Sequence, residues 1–329
     1  MLFSVMFLTE SEAKAYHTTH RGASSRSNNK DATEQESLRQ RSACADAMLS
    51  AARAMCSSRS QLWPCGIPDE AVAILPCRIA YLMLETATGV VARKAVSADA
   101  ALGMIAATVD SAENLLGTVV AALVDLLHSY EHIAPLTAEL CCMVSETPTN
   151  RLAVELVREI GRLDAGMSSE AGMKASGIKN LAPFISELAS ARPRLVLANI
   201  SHLLSHLNHE PYNIRSAIAT AIGHILVHLG ARDQQENQDG YTDGSIAAEE
   251  PSAAPINSNK SRDALLNVLT ERVNDNSSYT RSTVLKTWTR IVQSGCLPLE
   301  RLIIVTSLAI DRLQDKTVIV RRSAMQVRP

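Results

Sequence analysis

The 329-residue sequence predicts an all-α protein built as a stack of antiparallel helix pairs. Three observations carry that prediction. Aromatic residues make up only 3% of the chain while 46% is hydrophobic, so the apolar content rests on Ala, Leu, Ile and Val, which fall at helical spacing and not in the aromatic-rich alternation of sheets. The stretch ERVNDNSSYTR, Glu271–Arg281, returns forty residues later as DRLQDKTVIVR, Asp311–Arg321, with the same order of acid, Arg, aliphatic, amide, Asp, five residues, Arg. A third segment, SHLNHEPYNIR at Ser205–Arg215, keeps the aliphatic Leu207, the amide Asn208 and the final Arg215, with His209 where the Asp stands in the other two.

Taken in order, residues 1–33 are expected as a disordered arm: after an apolar start, MLFSVMFLT, the stretch from about residue 10 is polar and rich in Ser, Thr and Asn (HTTHRGASSRSNNKD). Residues 34–230 read as a helical region passing into repeats. Within it, QLWPCGIPDE with its two prolines closes one helix and opens another. Helices are expected over Glu70–Thr88, Asp110–Tyr130, His132–Ser145, Asn150–Leu163, Ile178–Ser190, Arg194–Leu207 and Tyr212–Leu229, and Asp110 with Glu113 makes a capping box for the second of them. Residues 231–260 break the pattern: the stretch Ala231–Asn259 has six acids against one Arg and no apolar period, as in a flexible acidic linker. Residues 261–329 return to helices at Arg262–Asn274, Ser278–Ser294, Pro298–Gln314 and from Val318 onward.

The spacing from Arg215 to Arg281 is 66 residues, which becomes about forty once a linker of about 26 is subtracted. The helices after each joint agree as well. Ile218, Ile222, Ile225 and Leu226 recur as Val284, Trp288, Ile291 and Val292, at i, i+4, i+7 and i+8, on one helical face. One helix pair cannot bury such a face, but stacked neighbours can. A forty-residue, two-helix period with Asp-x5-Arg at the turn resembles HEAT repeats, so an α-solenoid of that kind is expected. In it Asp275 and Asp315 cap the helices that follow them, and Arg215, Arg281 and Arg321 reach Asp side chains of adjacent repeats, a charge ladder that sets the stacking register.

Candidate chemistry is sparse. Three histidine pairs stand four apart, His128/His132, His202/His206 and His224/His228, a spacing that suits metal ligands on a helix. The first reads HSYEH, a zinc-peptidase pattern, but His132 falls across a helix junction and ordinary helix-surface histidines are the expectation. No phosphate-binding G-x-x-x-x-G-K-[ST] occurs, and no G-x-S-x-G. The seven cysteines are scattered without a C-x-x-C, and Cys141–Cys142 sit in an apolar helix as core residues. No enzyme activity and no cofactor or metal are expected. No stretch of about 18 residues is both charge-free and strongly apolar, so no membrane partner is expected either.

Charge is informative only locally. The whole chain carries −2, but Arg262–Arg328 has eleven Lys or Arg against six acids, directly after the acidic segment. Lys286, Arg290, Arg301, Arg312, Lys316 and Arg322 are the candidates for a surface that tracks the phosphates of double-stranded DNA. Aromatic interleaving is missing, which argues against stacking on single-stranded bases.

Several blocks go beyond a generic repeat. TNRLAVELVREIGRL (Thr149–Leu163), GIKNLAPFISELASARPRLVLANISHLLSHLNHEPYNIRSAIATAIGHILVHL (Gly177–Leu229), SRDALLNVLTERVNDNSSYTRSTVLKTWTRIVQSGCLPLERL (Ser261–Leu302) and DRLQDKTVIVRRSAMQ (Asp311–Gln326) resemble, in that order, the HEAT-repeat non-SMC subunits of the condensin subunit 1 family. AYLMLETATGVVARK (Ala80–Lys94) fits the family less tightly. The resemblance implies a non-catalytic scaffold that binds the kleisin subunit, associates with the SMC ATPase heads and helps hold DNA during mitotic chromosome condensation. It implies a place in the nucleus and on chromosomes, with a cytoplasmic pool. Family members are several times longer and this chain stops at MQVRP, inside what should be a repeat's second helix, so a truncated product, a fragment or an incomplete gene model is expected. A HEAT-repeat adaptor for other clients, in transport or as a phosphatase scaffold, is the alternative.

Overall fold

The computed structural model describes residues 96–111, 113–144, 151–162, 175–208, 211–239 and 258–328, with isolated positions between 54 and 84. No strand occurs among the described residues. The expected N-terminal arm, and the Pro-rich loop before Glu70, lie outside them. Two compact units divide the chain, Met1–Ile160 and Gly161–Pro329. The division therefore falls before the repeats and not at the acidic segment.

In the first unit, α1 (Val96–Ser111) is followed by a 3-10 turn at Glu113–Leu115, α2 (Leu116–Ser129), α3 (Ile133–Met143) and α4 (Arg151–Arg162). Helix α1 is not among the expected elements, and the reason is physical. Ala101, Leu102, Met104, Ile105, Ala106, Thr108 and Val109 are all buried, so the helix is apolar on most of its sides and leaves no stripe for periodicity to reveal. The expected capping box is corrected at the same place. Asp110 lies at the end of α1, and α2 begins six residues later behind Leu115, with no side-chain cap. Burial raises the Asp110 carboxyl above its ordinary value. Helix α4 shows the opposite pattern. Leu152, Ala153, Leu156, Val157 and Ile160 form one buried stripe, and Glu155 pairs with Arg158 on the other side at 2.6 Å.

The second unit is a HEAT-type solenoid. It contains α5 (Ala175–Ala191), α6 (Pro193–Leu204), a 3-10 turn at Ser205–Asn208, α7 (Tyr212–Asp239), α8 (Ser258–Arg272), α9 (Ser278–Gln293), α10 (Leu299–Arg312) and α11 (Val318–Ala324). Helices α5, α7, α9 and α11 pack successively side by side, and α6, α8 and α10 form the other layer. The interior between them is aliphatic: Ile218, Ile222, Ile225 and Leu226 of α7, and Val284, Trp288 and Ile291 of α9, are at most 1% exposed. Val292, expected with them, is only half-buried. Pro193 opens α6 at a position where its missing N–H costs nothing, whereas Pro183 sits inside α5 and removes one rung of its hydrogen bonds.

Two differences from expectation concern α7. It runs on to Asp239, nine residues into the segment expected as linker, so the acidic stretch begins as helix. Its Tyr212–Arg232 portion is long and apolar enough to cross a membrane, yet 67% of that apolar window is buried inside the unit. The burial follows from its position between α5 and α9. Close approach there depends on glycine: a Cβ on Gly223 would lie 2.5 Å from Thr287 Cγ2 of α9. Gly230 meets Cys296 in the same way, and the carbonyl of Cys296 accepts a hydrogen bond from Arg262.

Candidate interaction surface

The repeated motif forms the joints of the second unit. Arg215, in the first turn of α7, donates from Nε and Nη2 to the two carboxylate oxygens of Asp275, each at 2.9 Å. Arg281, in the first turn of α9, does the same to Asp315 at 2.9 and 3.0 Å. Neither Asp is the helix cap expected of it: Ser277 and Thr317 hold the N-cap positions, without a side-chain cap bond, and each Asp instead braces the turn just before its helix. Asp275 Oδ1 accepts from the Ser277 N–H at 2.8 Å, and Asp315 Oδ1 accepts from the Thr317 N–H and hydroxyl at 2.9 Å.

The arginines then turn back on their own joints. Arg281 Nη1 donates to the carbonyls of Asp275 and Asn276, and Arg321 Nη1 donates to those of Asp315 and Lys316. The residues therefore link in the order Arg215, Asp275, Arg281, Asp315, Arg321, alternately through carboxylates and through backbone carbonyls. Among the described residues no carboxylate pairs with Arg321. The planar guanidinium suits this arrangement because it offers a fork to a carboxylate while keeping a further N–H for carbonyls. The Arg281 bonds hold the Asp315 carboxyl down at about 2, with help from the Thr317 donors against the opposing effect of burial.

A further rung was not singled out from the sequence. Arg272 of α8 donates to the Leu207 carbonyl at 2.8 Å and to Asn208 Oδ1 at 2.9 Å, tying the second joint to the first. The signal was present: an Arg occupies the second position of both full copies of the motif, and Leu207 and Asn208 match its aliphatic and amide positions.

The six basic candidates do not share one surroundings. Lys286 and Arg290 are exposed and one turn apart on α9. Arg290 Nη1 contacts His224 Nε2 of α7 at 2.8 Å. Arg301 of α10 is taken up by α8, donating to Asn267 Oδ1 at 2.8 Å and Asp263 Oδ1 at 3.3 Å. Arg312 is half-buried, 3.8 Å from Asp315. Lys316 and Arg322 are exposed at the last joint and on α11.

The histidine pairs form no metal centre among the described residues: no group of three His, Cys, Asp or Glu side chains comes together there. His128 ends α2, while His132 precedes α3 and its Nε2 lies 3.1 Å from the Leu84 carbonyl. His202 is exposed and His206 buried. Cys141 is fully buried and its thiol is pushed up by burial, which disfavours the thiolate a nucleophile needs.

No protein-family model matches the chain. Comparison with characterised proteins does find relatives. A protein of Xenopus laevis named condensin complex subunit 1 is 29% identical over 268 residues, 81% of this chain and 18% of its own length. The Homo sapiens protein of that name is 32% identical over 206 residues, 62% of this chain and 13% of its own length. The chain is related to condensin complex subunit 1. The condensin-1 complex subunit CAP-D2 of Arabidopsis thaliana agrees, at 30% identity over 63% of this chain. The chain spans less than a fifth of the length of these condensin subunits. A crystal structure of an engineered protein overlays with a TM-score of only 0.29 at 13% identity, covering 97% of this chain and 77% of its own, and carries no argument.

Proposed function

We propose that this chain is a non-catalytic scaffold of the condensin complex, a segment of the subunit that engages the kleisin and the SMC ATPase subunits and contacts duplex DNA in nuclei and on mitotic chromosomes. The observation that carries this reading is the sequence relationship to several proteins named condensin complex subunit 1, extending over 81% of the chain in the longest match. The helical joints support it. Their polar side chains are spent on each other and on helix ends, which is the use a scaffold makes of them and leaves no constellation of nucleophile, base and oxyanion donors at the joints. Lys286, Arg290, Lys316 and Arg322 remain exposed for phosphate contacts, whereas Arg301 and Arg312 are engaged within the fold.

The test is affinity capture of the tagged chain from mitotic cells, followed by mass spectrometry. Recovery of the SMC pair and the kleisin supports the reading. Capture of other clients without them refutes it in favour of a general HEAT-repeat adaptor. For DNA, the expectation is sequence-independent duplex binding that weakens steeply with salt, and that drops on Lys286→Glu with Arg290→Glu. A flat salt dependence refutes that part.

A further inference from the structure

Helix α7 carries a row of His224, His228 and Arg232 at four-residue steps, and arginines from two other helices meet it. Arg290 of α9 reaches His224 Nε2 through Nη1 at 2.8 Å. Arg194 of α6 donates from Nε to His228 Nε2 at 3.1 Å. A guanidinium can only donate. Both imidazoles must therefore present a lone pair at Nε2, carry their single proton on Nδ1, and be neutral.

The charged groups around the two rings are unevenly placed. His224 faces Arg290 from α9 and Glu187 from α5. His228 faces Arg194 from α6 and Arg232 from its own helix. Helix α8 also packs on α7, but its Arg262 and Arg272 point to carbonyls elsewhere, of Cys296 and Leu207. Partial burial and then the adjacent arginines lower both histidines below their ordinary value. The free protein therefore holds cationic arginines against neutral rings at pH 7.

We propose that this row, with its two arginines, is a proton-linked docking surface for the phosphate backbone of duplex DNA. Each arginine spends one N–H on its imidazole and keeps others to offer a phosphate oxygen. A phosphate at the Arg–His contact replaces the imidazole as acceptor, and its negative charge favours a proton on the ring. The protonated imidazole then becomes a second donor to the same phosphate. Binding takes up protons, so affinity rises as pH falls through the histidine range. Lys286, one turn from Arg290 on α9, extends the positive strip.

The inference rests on the duplex-DNA reading proposed above. The experiment is fluorescence anisotropy of a short mixed-sequence DNA duplex with the full chain at constant ionic strength, at pH 7.5 and pH 6. Binding should tighten on acidification by several-fold, up to about tenfold per pH unit for each proton taken up. His224→Gln with His228→Gln keeps an acceptor for both arginines but cannot titrate, so its binding should be independent of pH. Arg194→Glu with Arg232→Glu should weaken binding at both pH values. If the double Gln variant does not fold, histidine NMR on the unmodified chain decides: adding duplex should raise the pKa of both rings. Absence of duplex binding at any pH overturns this inference together with the DNA reading. Binding that is equally tight at both pH values, or unmoved histidine resonances, overturns this inference alone.

Discussion

Replacing Asp315 tests the joint most directly. Asp315 is 4% exposed and its partner Arg281 14%, so the pair sits near the buried end of the range. Asp315→Asn keeps the shape and an acceptor for the Thr317 N–H but removes the charge. Holding a carboxyl at about 2 against its ordinary value corresponds to roughly 2 kcal/mol before allowance for solvent screening at the Arg281 side. Asp315→Ala also removes the acceptor of the Thr317 N–H and hydroxyl and strands two N–H groups of Arg281, which adds about 1 kcal/mol for the lost turn contact and more for the stranded donors. The expected losses are ~1–2 kcal/mol for Asn and ~2–4 kcal/mol for Ala, read by urea unfolding. A double-mutant cycle with Arg281→Ala should return a coupling of at least ~1 kcal/mol. The pH dependence follows from the sign of the shift. The folded carboxyl is depressed, so its stabilisation is complete above the ordinary aspartate range and is lost as pH falls toward 2. The advantage of the unmodified chain over Asp315→Asn should shrink in that window and nowhere above it. A coupling near zero, or an advantage that survives at pH 2, would refute the ladder as a source of stability.

Gly223→Ala should destabilise the second unit. The new methyl would meet Thr287 Cγ2, and overpacking of about 1–3 kcal/mol exceeds the roughly 1 kcal/mol that alanine gains over glycine in a helix. Thr287→Ser removes the obstructing methyl and should recover most of the loss in melting temperature. Trp288 is 1% exposed and its Nε1 has no hydrogen-bond partner. Trp288→Phe, which relieves the unpaired N–H while shrinking the ring, should therefore cost far less than Trp288→Ala, for which ~3–5 kcal/mol is expected by denaturant titration.

The joints and the apolar faces of α7 and α9 were legible in the sequence because each repeat states them again at a fixed spacing. Helix α9 was expected at Ser278–Ser294 and runs Ser278–Gln293. Helix α1 was illegible for the reason that makes it central: burial on most sides erases the stripe that betrays a helix. The acidic composition after Leu229 argued for a linker, but α7 continues as helix to Asp239. The partner of Arg215 lies 60 residues downstream, beyond the acidic segment, where only the structure joins it to Asp275. The histidines of α7 pointed to metal by their spacing. Their actual partners, Arg194 and Arg290, lie 34 and 66 residues away and follow from no local pattern.

The joints also explain why the repeats hold one register. The faces between α7, α9 and α11 are largely aliphatic, with Trp288 and the Gly223–Thr287 approach among them, and apolar contact is only weakly directional. Charges do not forgive a slip in stacking: moving Arg281 away from Asp315 would leave both ions buried without a partner, a cost of about 3–5 kcal/mol. The ladder's contribution to uniqueness is thus separable from its contribution to stability. Replacing Arg281 by Met and Asp315 by Leu together removes both charges and keeps apolar volume. Stability should change by no more than about 1–2 kcal/mol, since an ion pair and its apolar replacement often come out close. The amide spectrum should nonetheless broaden or double for residues of α9 and α11 as alternative stackings become populated. A double replacement that stays as stable and as sharply dispersed as the unmodified chain would mean that the aliphatic faces fix the register without the ladder.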